Sequence, residues 1–328
     1  DRGQIATDIN IAIPGAEDQA RFRFVGILRD ADTQIEQVSD DKLVIAPALT
    51  LRPATGTEVT ILANYSEQRS DTAHQFLPVT GTLIPTANGQ EIDPYAYHGA
   101  PGFNAYDTES FALTLLLEQQ FSETFSFEAV GRYIDSQADY RQAWLAFQGN
   151  GVPRIDANGD GAWTYYLADN RSEQLAVDVR LRGKFSTGPI EHELLVGVQR
   201  QDVFTDSDTA YIFNGGTLNA FDPQYEDVLS VEEVRQFQGN GPRNYVDSTG
   251  FYISNQMSWG SLVANAGMRF DSVDNRVENG STQEDDATSL SFGLLWRGPA
   301  GISPYVSYAE SFEPVVGVDT ITNQQLLP

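Results

Sequence analysis

Cysteine is absent from the 328 residues, so neither a disulfide framework nor a thiolate metal site can be built. Long apolar runs are absent as well. The most apolar stretch, FALTLLL over 111–117, is far shorter than the roughly 20 residues a membrane-crossing helix needs. Basic residues are scarce: 20 Lys and Arg stand against 46 Asp and Glu, a formal charge of -26. Such a chain is repelled by phosphate backbones, which argues against a nucleic-acid partner. The 3 histidines, His74, His98 and His192, are scattered. No pair of them has metal-ligand spacing, and none sits in a nucleophile–carboxylate set. No glycine-rich phosphate loop follows a strand and opens a helix. With no catalytic constellation in view, an enzyme is not expected.

What is present is alternation. Over 57–68, Val59, Ile61, Ala63 and Tyr65 fall on one side, and Glu58, Thr60, Asn64 and Gln68 on the other. Over 174–185, Leu175, Val177, Val179, Leu181 and Phe185 share a side opposite Asp178, Arg180, Arg182 and Lys184. Successive side chains of a strand point to opposite faces, so each segment has one oily face and one wet face. A transmembrane barrel strand needs only about 9–11 residues with every second one apolar. A barrel is therefore compatible with a mean hydropathy of -0.33.

Twelve strands are expected, at 3–12, 20–31, 41–52, 57–69, 108–121, 124–138, 172–186, 190–204, 247–259, 261–273, 287–297 and 302–312. Short turns and longer segments alternate between them. The long segments are 70–107, 139–171 and 205–246, with shorter ones at 32–40 and 274–286. A soluble sandwich has no reason to sort its connections by parity, whereas an outer-membrane barrel has short periplasmic turns and long extracellular loops. Aromatics reinforce this. Phe121, Phe125, Phe185, Trp259 and Trp296 sit near short turns, and Tyr65, Tyr133, Phe204, Phe270, Tyr308 and Phe312 lie toward the opposite strand ends. Two such bands match interfacial girdles. The expected fold is all-β: an antiparallel transmembrane β-barrel. Its twelve strands are compatible with part of a 22-stranded plugged barrel. Asp1 opens without a leader and Pro328 ends without a closing strand, so residues 1–328 are expected to be one portion of a longer barrel domain. Outer-membrane lipid would face the oily side. The acidity reads first as a solvated surface; acidic loops holding divalent cations that bridge lipopolysaccharide are the alternative.

Several segments in order resemble the TonB-dependent siderophore receptors, most nearly their ferric-hydroxamate (ferrichrome-type) branch. They are IAPALTLRPATGTEVTILANYS (45–66), FLPVTGTL (76–83) with GAPGFNAYDTE (99–109), KFSTGPIEHELLVGVQ (184–199), GFYISNQMSWGSLVANAGMRFD (250–271) and PYVSYAESFEP (304–314). One departure is Asn255, where the family carries Asp before the Gln. The resemblance implies a receptor of the bacterial outer membrane that imports a ferric siderophore with energy supplied by TonB. The plug and the TonB-contacting segment would lie outside these residues. The inward Arg132, Asp178, Arg180 and Arg269 would meet the plug and lumen water. Haem, cobalamin or a carbohydrate are alternative cargoes. A passive porin-like channel and a secreted calcium-dependent β protein are the rivals from other classes.

By the same resemblance, ligand-contacting aromatics are expected at Phe76, at Trp144 and at Phe221 in LNAFDP. His74 stands where the family carries Tyr. A siderophore already wraps its iron in its own oxygens, so its site needs flat apolar faces and a few hydrogen bonds rather than metal ligands. Separately, DANGDG (156–161) has the opening of a calcium loop through Asp156, Asn158 and Asp160. Its twelfth position is Leu167 rather than Glu, so the bidentate ligand is missing and an Asx-type turn is the preferred reading. No resident cofactor is expected.

Overall fold

A computed structural model describes residues 1–72, 76–149, 154–280 and 282–314. Its strands are β1 (Arg2–Ala12), β2 (Ala20–Ala31), β3 (Asp40–Ala54), β4 (Thr57–Ser70), β5 (Ala105–Gln120), β6 (Phe125–Leu145), β7 (Asp160–Thr187), β8 (Ile190–Asn219), β9 (Asn244–Trp259), β10 (Leu262–Val277), β11 (Thr282–Trp296) and β12 (Tyr305–Ala309). They form a 12-stranded sheet in which each strand pairs antiparallel with its sequence neighbours. All twelve expected strands are present.

The register sets the two faces. On one, Phe127 pairs with Leu181, Val179 with Val198, Leu181 with Val196 and Val196 with Ile253. This apolar face has no second sheet against it: Leu181 is 51% exposed and Ile253 41%. An uncovered oily face across a whole sheet is not viable in water and is what lipid requires. On the other face, Arg180 bonds to Glu128 at 2.6 Å, Arg182 approaches Glu128 at 3.4 Å, and Tyr252 donates to Asp178 at 2.9 Å. Arg269 pairs with Asp271 at 2.7 Å on the same side. The apolar face thus looks to lipid and the charged face to the lumen.

The apolar band has a defined height. It runs from the short turns to Tyr65, Phe111, Tyr133, Phe251 and Phe270, and just above these the same face becomes ionic. Arg171 there contacts Asp135 and Glu173, and Arg200 contacts Asp202 and Asp247. The interval is about ten residues, the span a tilted strand needs to cross the hydrocarbon.

The sheet differs from expectation in its upper half. Segments 139–171 and 205–246 are not loops throughout. β6 continues to Leu145, β7 starts at Asp160, and β8 runs 30 residues to Asn219. Apolar alternation fades once a strand leaves the membrane, but ladder hydrogen bonding does not. The last strand errs the other way, since only Tyr305–Ala309 of 302–312 is paired.

Depth dependence tests which face meets lipid. In the full-length receptor refolded into vesicles, Leu181→Arg should cost about 2–4 kcal/mol and Leu175→Arg, at the ionic edge, about 0–1 kcal/mol. Equal costs in a denaturant titration would contradict the assignment.

Candidate functional site: an aromatic stripe on the strand extensions

Above the membrane band, the two faces of β6, β7 and β8 do different work. The face continuous with the lipid side carries Ala143, Leu145, Trp163, Tyr165, Leu167 and Ala210, all buried. Two segments fold back and cover it. From 77–104 come Ile92, Ala100 and Phe103; from 220–238 come Ala220 and Val234, with Phe221, Tyr225 and Leu229 packed alongside. Phe103 meets Tyr165 edge-on at 4.9 Å, and Trp163 Nε1 donates to the His98 carbonyl. Buried aromatic N–H and O–H groups need partners, and here the covering segments supply them: Tyr165 Oη accepts from Leu229 N at 3.2 Å, and Tyr225 Oη donates to the Tyr97 carbonyl at 2.7 Å.

The second segment is clamped by charge. Helix α1 (Val231–Arg235) starts with a capping box, in which Ser230 Oγ accepts from Glu233 N and the Glu233 carboxylate accepts from Ser230 N at 2.8 Å. Arg235 and Gln238 both bond Asp169 on β7. Arg243 reaches Asp206 at 3.4 Å and Glu278 at 3.7 Å. Segment 205–246, read from the sequence as a long connection, holds two arginines, Arg235 and Arg243. The structure shows both arginines fastening it to strands.

With one face fixed, the lumen-side face presents a row of rings. Tyr106 on β5 meets Tyr140 on β6 at 5.6 Å, Tyr140 meets Tyr166 on β7 at 5.7 Å, and Tyr166 meets Tyr211 on β8 at 4.5 Å. Phe213 stacks beside Tyr211 at 5.9 Å. By register these residues share a face with Glu128 and Arg180. The four tyrosine hydroxyls have no hydrogen-bond partner among the described residues. Phe213 is 70% exposed and Tyr211 51%. The stripe is therefore an apolar row of rings set edge-on and tilted to one another, most open at Tyr211 and Phe213, and edged with O–H donors.

Trp144 lies on the same face, one residue pair above Gln142 and opposite Thr164, which in turn pairs with Phe213. Its indole Nε1 is buried without a hydrogen-bond partner. Phe76 packs edge-on against it at 5.8 Å, and Phe76 carries a φ of +44, a conformation that bulky residues rarely adopt. Two of the expected aromatics are thus brought together at the upper end of the stripe. Phe221 is not with them. It lies over Gly159, whose φ is +93 and where an added Cβ would fall 2.4 Å from the Phe221 ring, so it packs into the outer cover. His74 lies outside the described residues.

Asp156, Asn158 and Asp160 form a closed turn leading into β7. Asp156 Oδ1 accepts from Asn158 N at 2.8 Å and Asp160 N at 3.0 Å, and Asn219 Nδ2 donates to Asp160 Oδ1 at 2.8 Å. These oxygens are committed to backbone and amide donors, as an Asx-type turn requires.

Reading the sequence alone misses the tyrosine stripe, because 139–171 and 205–246 look like loops. The signal is there: Tyr140, Gln142 and Trp144 continue the alternation of β6, and Tyr211 and Phe213 that of β8.

Comparison with known proteins fits this geometry. Residues 50–326 match the family described as TonB-dependent receptor-like β-barrel. The chain belongs to that family. It is similar to the ferrichrome outer membrane transporter/phage receptor of Escherichia coli K12, 26% identical over 323 residues that make up 89% of this chain and 42% of that protein. A ferrioxamine B receptor of Salmonella typhimurium is 26% identical over 310 residues, covering 92% of this chain and 42% of the relative. Among solved structures, the ferripyoverdine receptor of the Pseudomonas aeruginosa outer membrane superposes with a TM-score of 0.82 at 14% identity, over 99% of this chain and 43% of that one. The siderophore receptor PiuA of Acinetobacter baumannii gives 0.74 at 17%, over 93% and 47%. The chain therefore spans less than half the length of the relatives it matches. Its strands are those of an outer-membrane β-barrel, in a family of receptors and transporters.

The outer cover should be pH-sensitive through His98. This imidazole is fully buried, with Nε2 2.9 Å from the Ala220 carbonyl, and burial holds its pKa below the ordinary value. The folded cover favours neutral His98. Its contribution is present above the ordinary pKa of about 6.5 and is lost as pH falls below that value toward the depressed one. Protection factors of amides in 77–104 and 220–238, corrected for the intrinsic exchange rate at each pH, should fall between pH 7.5 and 5, and His98→Gln should flatten that change. An identical pH response in the variant would exclude His98 as the cause.

Proposed function

We propose that this chain is the ligand-capturing part of a receptor that imports a ferric siderophore of hydroxamate type with energy supplied by TonB. The observation that carries the reading is the stripe of rings from Tyr106 to Phe213, with Trp144 and Phe76 above it. A hexadentate ferric complex has no open iron site and presents amide, carbonyl and alkyl groups. Flat aromatic faces bind such a shell by desolvation, and hydroxyl donors at their edges meet its carbonyl oxygens. The relatives named for ferrichrome and ferrioxamine support the same cargo class.

Position supports it too. The stripe lies on the lumen face above the membrane band, while the lower lumen holds a charged concavity of about 910 Å³ lined by Arg52, Glu58, Glu118, Glu128, Arg182 and Lys184. Cargo would be held at the aromatic level, then pass into a charged bore. Interaction with TonB would require segments beyond these residues.

In the full-length receptor, Tyr140→Ala with Tyr211→Ala should weaken binding of a ferric trihydroxamate at least tenfold. Measured by quenching of receptor fluorescence, unchanged affinity in that double variant would remove the stripe from the site. Phe76→Ala should weaken binding without loosening the cover. Phe221→Ala should raise hydrogen exchange in 220–238 and act on affinity only through it. A direct affinity loss with the cover intact would return Phe221 to the ligand surface.

A further inference from the structure

Beside Phe76, and distinct from the tyrosine stripe, lies a second concavity of about 680 Å³ between residues 77–88 on one side and Phe147 with residues 154–157 on the other. Its size falls within the range of small-molecule sites, about 300–1,000 Å³. Leu77, Val79, Phe147 and Ile155 give it apolar walls. Phe147 connects it to the ligand face already described, its ring lying 6.0 Å from that of Phe76.

The wall carries one cation. Arg154 stacks over the Phe147 ring at 4.2 Å, donates Nε–H to the Ala146 carbonyl at 3.3 Å and donates from a terminal nitrogen to the Leu145 carbonyl. A guanidinium has five N–H donors. Two are used in these bonds, which leaves three. No carboxylate pairs with Arg154 among the described residues, although most arginines of this acidic chain have such a partner. Asp156 also lines the concavity, but its Oδ1 is turned into its own loop by two backbone N–H groups. Partial burial already disfavours the charge on Arg154. A partly desolvated cation with spare donors at the edge of an oily cavity is complementary to an apolar group that ends in an anion.

We propose that this concavity is a binding subsite for an apolar group bearing one negative charge, of the aryl carboxylate or short-chain acyl carboxylate class. Arg154 holds the carboxylate, and Leu77, Val79, Phe147 and Ile155 enclose the hydrocarbon. The group is either a pendant arm of the imported complex, in which case the subsite extends the function proposed above, or a separate small amphiphile bound beside it.

The test uses the full-length receptor in lipid nanodiscs, with 2-naphthoate as probe and neutral 2-naphthylmethanol as control, titrated by calorimetry against empty nanodiscs. Saturable naphthoate binding is expected, weakened at least tenfold by Arg154→Gln while the alcohol is unaffected, and restored in part by Arg154→Lys. Ala87→Trp, which fills the cavity and leaves Arg154 in place, should abolish binding of both probes. Competition between naphthoate and a ferric trihydroxamate identifies an arm of the cargo; independent binding identifies a separate ligand. No saturable binding beyond empty nanodiscs, or equal naphthoate affinity in Arg154→Gln, overturns the subsite. The import reading is judged separately by trihydroxamate binding to the tyrosine variant.

Discussion

The constraint on which everything else depends is that a peptide group in hydrocarbon must find its hydrogen-bond partner within the protein. Unpaired N–H and C=O groups facing lipid cost several kcal/mol each, so the chain crosses as paired strands, each bonded to its sequence neighbours. That pairing fixes the register, and the register fixes which side chains look outward. Val179 lies beside Val198 and Arg180 beside Gly197 because a slip of one residue would turn every charge of the lumen toward lipid. The alternation in the sequence and the two-faced sheet are one constraint seen at two scales.

Above the membrane the constraint relaxes, and the strands keep their pairing while exchanging their surface chemistry. The face that met lipid becomes ionic at Arg171 and Arg200, then apolar again where segments 77–104 and 220–238 cover it. Covering the outside of the hairpins has a mechanical result. Two-stranded ribbons are marginal alone, but here β6, β7 and β8 are backed by a core containing Trp163, Tyr165 and Leu167. The opposite face can then display tyrosines to solvent without loss of order.

How much was legible follows from where periodicity is enforced. Inside the bilayer every second residue must be apolar, so the twelve strands and both aromatic bands could be read directly. Outside it, Asp169, Asn170 and Ser207 satisfy strand geometry with no apolar rhythm, and the extensions of β6, β7 and β8 look like loops. Phe76 and Trp144 could be named from family resemblance. Their contact depends on a turn of positive φ that composition does not announce. Phe221, named on the same resemblance, packs over Gly159 in the outer cover, a placement that residue type alone does not announce. Whether an aromatic in a loop faces ligand or core is decided by such tertiary fits.

The length of the β7–β8 hairpin has one further result. From Arg200, at the edge of the oily band, to Tyr211 is about eleven residues, so a strand rising near 3.3 Å per residue and tilted by about 40° lifts Tyr211 roughly 25–30 Å outward of Arg200. That is about three times the distance over which charges are felt at physiological salt. The Arg200 cluster at the membrane edge is therefore screened from Tyr211, and the charges nearest the rings along the strands are those of the extensions themselves, such as Arg141 with Asp139 on either side of Tyr140.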